Sequence, residues 1–196
     1  MLLATEKELV GIIAFSDTLR CESGQAIREL HREGVNRVIM LTGDSNGTAK
    51  AIAEKAGIDE YYAQVLPEDK LRRVEELKQR YGSVAMAGDG INDAPALAAS
   101  TVGIAMGTSG TDIALETADV VLMSDDLLKL PWLMRLSKRT LSIIKQNIAI
   151  ALATKLLFMT LGLLGVATLW MAVLADDGAA LIVILNGLRV MRSEKW

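Results

Sequence analysis

Over residues 1–125 the chain alternates short apolar runs with longer stretches whose apolar positions recur at helical spacing. Runs rich in β-branched residues occur at Leu9–Phe15, Val35–Leu41, Val84–Ala87, Val102–Met106 and Val120–Met123. Between them, Gly24–Glu33, Thr48–Ala56, Glu68–Tyr81 and Ala94–Ala99 carry helix patterns. The clearest is Glu68–Tyr81. Pro67 precedes it, Leu71, Val74 and Leu77 form one stripe, and Gly82 follows its end. Strands alternating with helices of this length predict βαβ units, so the fold class is α/β, a Rossmann-like parallel sheet with flanking helices. A ligand site in such a sheet lies at the carboxyl ends of the strands.

From Ser124 the texture changes. "SDDLLKLPWLMRLSKRTLSIIKQN" is a basic amphipathic pattern, and it predicts a cytoplasmic linker helix over 126–145. From Gln146 to Leu188 the only charged residues are Lys155, Asp176 and Asp177. A membrane span needs about 20 apolar residues, so 146–188 predicts two transmembrane helices, with the turn inside "GLLGVATLW" and a tail at 189–196. Arg135, Lys138, Arg139 and Lys145 precede this hairpin; Arg189, Arg192 and Lys195 follow it. Two spans with basic flanks at both ends predict an integral membrane protein with both termini cytoplasmic and lipid as a partner. Trp132 and Trp170 fit interfacial positions.

Composition narrows the function classes. Hydrophobic residues make up 51% of the chain, which agrees with a membrane part, and the net charge is −3. No basic run argues for nucleic acid as a partner. Cys21 is the single cysteine, so no intramolecular disulfide forms. "MLLATEKELVG" lacks the basic start and long apolar stretch of a signal peptide. His31, beside Glu29, Arg32 and Glu33, reads as a solvated side chain on a polar helix face.

Three stretches with chemical potential sit where strands should end. In "MLTGDS", Thr42, Gly43 and Asp44 follow the run Val38–Leu41; a hydroxyl and a glycine amide there can hold a phosphoryl oxygen, and the same tripeptide is a good turn and helix cap. "LPEDK" places Lys70 at a helix start, either to neutralise a phosphoryl group or as a solvated surface lysine. "AGDGINDAPALAAS" is more specific. Gly88 and Gly90 permit a tight turn, and Asp89 offers a strand-end carboxylate to a hard cation. Asn92 and Asp93 open the next helix, where they can cap amides or orient the site.

"MLTGD", "PEDK" and "GDGINDAPALAAS", followed by "VGIAMG" and "TDIALETADVVL", resemble the second half of the phosphorylation domain of P-type ATPases, within the haloacid dehalogenase superfamily. "SDTLR" resembles the Asp-x-x-Arg element near that domain's hinge, with Cys21 where a proline is frequent. The resemblance implies a partial phosphorylation domain over 1–125 and a cycle through an aspartyl-phosphate with Mg²⁺ and ATP. It implies that Asp89 binds Mg²⁺, that Thr42, Gly43 and Asp44 contact phosphate, and that Lys70 neutralises the phosphoryl group. Asn92 and Asp93 then order the site, Asp93 acting on Mg²⁺ indirectly. Ser45 stands where an asparagine is frequent. The family's Asp-Lys-Thr-Gly-Thr nucleophile segment is not in this sequence. Nor are its nucleotide-binding and actuator domains and six earlier helices, so these are the implied partners. The upstream strand-end aspartate, Asp17, has Leu19 and Cys21 where a nucleophile of this superfamily has Thr or Val.

In the hairpin, Lys155 and Asp176 lie roughly 14 and 18 Å from their ends of the two spans, both near the middle of a core about 30 Å thick. Buried charges there usually pair or line a path. "KQNIAIALATK" and "LADDGAALIVILNGLRVMR" resemble the last two membrane helices of the zinc-, cadmium- and lead-exporting P-type ATPases. That resemblance implies Asp176 as ligand to transported Zn²⁺, Cd²⁺ or Pb²⁺ and Lys155 as its counter-ion; Asp177 faces water, a second ligand or a neighbouring helix. The expectation is the C-terminal part of an ATP-driven heavy-metal exporter of the bacterial plasma membrane, inactive alone. Two alternatives are a membrane-tethered phosphatase using Asp17 and a non-catalytic subunit that assembles with the missing half.

Overall fold

Where the apolar runs fall among the described residues they form strands: Val102–Met106 comes out as expected, Ala85–Gly88 is shifted by one residue, and Ile39–Leu41 and Val120–Leu122 are shorter than their runs. The computed structural model describes residues 2–4, 9–12, 19–90, 92–107, 116–124 and 126–191; Asp17, Arg192 and Lys195 lie outside them. The chain divides into two compact units, Met1–Lys129 and Leu130–Trp196.

In the first unit β1 (Leu2–Ala4) and β2 (Leu9–Ile12) pair antiparallel. After α1 (Ser23–Arg32) come β3 (Ile39–Leu41), α2 (Asn46–Ala56), β4 (Glu60–Tyr62) and α3 (Pro67–Tyr81). Then follow β5 (Ala85–Gly88), α4 (Ala94–Ala99), β6 (Val102–Met106) and β7 (Val120–Leu122). The parallel sheet is built as two ladders. β3 pairs with β4, Ile39 opposite Glu60; β5, β6 and β7 pair in sequence, Ala85 opposite Val102 and Ile104 opposite Val120. Among the described residues β3 and β5 each use one edge only. The two ladders nevertheless share a core: Leu41 of β3 packs on Val74, Met86, Ala96 and Leu97.

Capping sets the helix ends. Pro67 occupies the first turn of α3, where a missing N–H costs nothing, with Glu68 and Asp69 beside it facing the positive end of the dipole. Gly57 ends α2 in the left-handed region, φ 77°. The buried face of α2 is Ala49, Ala53 and Ala56, small enough for α1 to approach closely.

β1 and β4 have no counterpart in the apolar pattern. "EYY" does not alternate polar with apolar, and β4 is held instead by its side chains. The Tyr62 hydroxyl donates to Glu60 Oε1 (2.6 Å), Arg73 lies 4.9 Å over the Tyr62 ring, and Arg80 reaches Glu60 at 3.5 Å. That hydroxyl bond, with help from Arg80, holds the Glu60 carboxyl below its ordinary value, and the same bond pushes Tyr62 up. His31 corrects an expectation. It is half-buried, its Nδ1 2.9 Å from the Val35 carbonyl oxygen and its Nε2 3.3 Å from Asp59 Oδ2, which also accepts from the Val38 N–H (2.7 Å). Asp59 follows α2, so the pair staples the end of α1 to the start of β4.

The second unit is a helical hairpin, α5 (Lys129–Leu163) and α6 (Leu169–Gly187), closed by a 3₁₀ turn at Leu188–Val190. The stretch expected as a separate linker and the first span form one unbroken helix of 35 residues. Gly165, φ 70°, reverses the chain, with the Val166 N–H returning to the Leu161 carbonyl. Both helices are long and apolar enough to cross a membrane. Their seam is a stripe of half-buried positions: Asn147, Ile150, Thr154 and Phe158 on α5 and Ala172, Ala175 and Asn186 on α6, with Ala179 buried among them. Small residues along α6 permit close backbone approach.

Candidate functional site

The site grows from three strand-to-helix junctions. After β3, the Asp44 N–H donates to Thr42 Oγ1 (3.1 Å) and the Thr42 hydroxyl donates to Asp44 Oδ2 (3.0 Å), so the Thr-Gly-Asp loop is folded on itself. Ser45 caps α2, its Oγ accepting from the Thr48 N–H (3.4 Å). The loop after β4 is laced to this one. The Thr42 N–H donates to the Tyr62 carbonyl, the Val65 N–H to the Thr42 carbonyl, and the Gln64 N–H to the Asp44 carbonyl (2.9 Å). Gln64 has φ 55°, the one left-handed non-glycine residue among those described. Three residues later α3 begins, and Lys70 rises from its first turn.

Lys70 crosses to the third junction. Its Nζ lies 2.5 Å from Asp93 Oδ1, with both side chains largely buried, 17% and 13% exposed. A charge-assisted bond in such a setting is much stronger than one in water. Asp93 stands at the N-cap of α4, yet its carboxylate caps no amide there. It turns instead toward Lys70 and over Gly88. A Cβ at Gly88 would sit 2.6 Å from Asp93 Oδ2, so the glycine at the end of β5 is what lets this carboxylate into place. Asp89 follows, exposed, with the Asn92 N–H 3.2 Å from its Oδ1 and the Asn92 amide nitrogen 3.5 Å from its Oδ2. Gly90 (φ 75°) makes the turn that brings Asn92 back.

The seven soluble-site residues of the sequence pattern thus fall into two linked groups. Lys70, Asp93, Asp89 and Asn92 surround Gly88; Thr42, Gly43 and Asp44 join them through Gln64 and Val65. Gln64 and Tyr62 were missed by sequence reasoning, because an irregular loop after a polar strand leaves no periodic trace. The only available signal was position, immediately before "LPEDK". Among the described residues no cluster of three or more His, Cys, Asp or Glu forms a ready metal cage. An exposed strand-end carboxylate held by a neighbouring amide suits Mg²⁺, which keeps several waters and is bound through one or two carboxylates plus phosphate oxygens.

In the hairpin, the Asn186 amide donates to Asn147 Oδ1 at 2.8 Å, which sets the two residues level. Lys155 is eight residues above Asn147, about 12 Å; Asp176 is ten residues above Asn186, about 15 Å. At about 100° per residue each stands about 80° off the seam, and in antiparallel helices the two offsets turn to the same side. Asp177 falls about 180° from Asn186, on the face of α6 turned away from α5. Lys155 and Asp176 are exposed, and among the described residues they do not pair with each other. They share depth and side without touching.

Comparison with known proteins agrees with both units. The family model for haloacid dehalogenase-like hydrolases matches residues 2–101. A probable cadmium-transporting ATPase of Alkalihalophilus pseudofirmus is 54% identical over 192 residues, covering 98% of this chain and 27% of the relative. The cadmium-transporting ATPase of Staphylococcus aureus is 51% identical, with 98% and 26% covered. The crystal structure of a zinc-transporting PIB-type ATPase in its E2.Pi state matches at a TM-score of 0.83 and 49% identity, covering 96% of this chain and 31% of that one. The chain therefore spans about a quarter of the length of the curated relatives it matches, and it is homologous to the C-terminal part of zinc- and cadmium-transporting P-type ATPases. The chain belongs to the haloacid dehalogenase-like hydrolase family.

Proposed function

We propose that this chain works as the C-terminal part of an ATP-driven exporter of Zn²⁺, Cd²⁺ or Pb²⁺, resident in a bacterial plasma membrane with both ends of its hairpin cytoplasmic. The phosphorylated aspartate, the nucleotide-binding and actuator domains and six further helices are supplied outside these residues, so the chain alone is inactive. The observation that carries this reading is the Lys70–Asp93 pair held over Gly88 beside Asp89, on a chain that continues into two membrane-length helices. The single-edged β3 and β5 over one shared core support a segment of chain that completes the sheet between them.

In this reading the Thr42–Gly43–Asp44 loop contacts phosphoryl oxygens, with the Gly43 amide as a donor and Asp44 folding the loop through Thr42, and Lys70 neutralises them. Asp93 holds the Lys70 ammonium in place. Asp89 holds Mg²⁺, oriented by Asn92; when bound, the cation neutralises charge on the transferring phosphoryl group. In the membrane, the Asp176 carboxylate offers oxygen to the transported cation, and Lys155, level with it on the same side, competes for that carboxylate and promotes release.

The test is a chimera in which this chain replaces the matching quarter of the Staphylococcus aureus cadmium-transporting ATPase. Cd²⁺-stimulated phosphate release should persist, Asp89→Asn should abolish phosphoenzyme turnover, and Asp176→Ala should remove most metal stimulation while Asp177→Ala is milder. Near-normal activity of Asp89→Asn would refute the assignment. The chain alone, in detergent with Mg²⁺ and Zn²⁺, should release only background phosphate; robust release lost on Asp17→Asn would instead identify a phosphatase.

A further inference from the structure

The hairpin carries a polar cluster that no part of the phosphate chemistry uses. Asn186 Nδ2 donates to Asn147 Oδ1 (2.8 Å) and to Gln146 Oε1 (3.3 Å) across the seam, while its own Oδ1 accepts from Arg189 Nη1 (2.9 Å). One turn further out, Arg139 Nη2 donates to the Arg189 carbonyl (3.2 Å). The Asn186 amide is thus used at both ends, by two residues of α5 and one of the 3₁₀ turn that follows α6. The rest of the seam is Ile150, Thr154 and Phe158 on α5 and Ala172, Ala175 and Ala179 on α6, where the Thr154 hydroxyl donates back to the Ile150 carbonyl on its own helix (2.9 Å). On α6 the seam repeats a small residue at Ala172, Ala175 and Ala179, and such a stripe by itself selects a register weakly. Hydrogen bonds between specific amides do not survive a slip of one turn.

We propose that Asn186, with Asn147 and Gln146, is a register clamp: a set of positioning residues that holds Lys155 and Asp176 at one depth and on one side of the hairpin. The functional part of this inference rests on Asp176 being a ligand of the transported cation. A slip of one turn of α6 toward the Gly165 end would carry Asp176 from about 3 Å to about 9 Å above Lys155. The counter-ion would then no longer reach its carboxylate at the level where the cation is bound. Hydrogen bonds of ordinary intramembrane strength, two of which are lost with Asn186, favour the clamped register on the order of sevenfold.

The experiment reads register and metal separately. In the full chain, reconstituted in lipid nanodiscs with Cys21→Ser, the pair Thr154→Cys with Ala179→Cys is level at the seam, seven residues above Asn147 and Asn186 respectively. Thr154→Cys with Val183→Cys reports the slipped register that separates Asp176 from Lys155. Oxidative cross-linking should favour the level pair. Adding Asn186→Leu should shift the ratio of level to slipped product several-fold toward the slipped pair, and Asn186→Gln should restore part of it. Zn²⁺ titration of the chimera should show a several-fold weaker site in Asn186→Leu. An unchanged cross-linking ratio overturns the clamp, and a shifted ratio with unchanged Zn²⁺ affinity overturns its positioning role. If the parent chimera binds no Zn²⁺ that depends on Asp176, the ligand reading fails and the cross-linking ratio alone decides the clamp.

Discussion

Replacing Gly88 by alanine tests the core of the site through a single methyl group. The added Cβ would lie 2.6 Å from Asp93 Oδ2, 3.0 Å from its Cβ and 3.2 Å from its Cγ. To restore ordinary contact the carboxylate must retreat by about 0.8 Å or more. Asp93 has little freedom to do so, since its other oxygen is held 2.5 Å from the Lys70 ammonium and the pair is mostly buried. Either the ion pair lengthens in a low-dielectric setting or the β5–α4 turn shifts. Overpacking of this kind costs about 1–3 kcal/mol. For a unit of this size that is a fall of about 4–15 °C in the unfolding midpoint. The assay is thermal unfolding of the purified chain, run as a double-mutant cycle with Asp93→Gly, which removes all three contacting atoms. In that background Gly88→Ala should be close to neutral, giving a coupling above about 1 kcal/mol. A cost that is the same with and without the Asp93 side chain would refute the account, as would no cost at all.

Other consequences can be checked on the same chain. Gly103→Ala brings a Cβ within 2.8 Å of the Leu97 backbone oxygen, which cannot rotate away, so it should destabilise the β6–α4 packing by about 2–3 kcal/mol in chemical unfolding and leave Lys70 and Asp93 untouched. Asp59→Ala loses both the Val38 amide and the His31 ring, and should cost about 1–2 kcal/mol; His31→Ala, which leaves the amide bond intact, should cost less. Glu60, held below its ordinary value of 4.5, adds stability that is present above that pH and lost as pH falls through the lowered value; Tyr62, raised above 10.0, adds stability that is present below pH 10 and lost above it. Tyr62→Phe should therefore flatten both limbs of a stability-versus-pH curve, and equal curves for the two proteins would remove the pair from the balance.

The legible parts of this molecule are those with a repeat or a fixed chemical spacing. α3 is written in Pro67, the Leu71–Val74–Leu77 stripe and Gly82, and the structure returns it almost residue for residue. Glycine next to an acidic residue at a strand end marks Gly88 and Asp89, because only glycine tolerates the carboxylate that folds over it. What could not be read is pairing between distant side chains. The Lys70–Asp93 bond spans 23 residues and the Asn147–Asn186 bond 39, and neither residue type announces its partner. β4 escaped because its stability comes from a tyrosine–carboxylate bond and an arginine over a ring, not from an apolar face. His31 looked solvated because its neighbours in sequence are charged, while its neighbours in space are a carbonyl and Asp59.

Helix α5 contains neither proline nor glycine from Trp132 to Leu161. Sharp kinks need one of those breaks. At about 1.5 Å per residue its 35 residues make a rod roughly 52 Å long. A hydrocarbon layer of about 30 Å covers little more than half of that. The remainder is a handle: a tilt of about 5° carries one end roughly 4.5 Å to the side of the other. Because one helix carries both the handle and Lys155, a tilt of the handle is also a tilt of the stretch that holds that ammonium group.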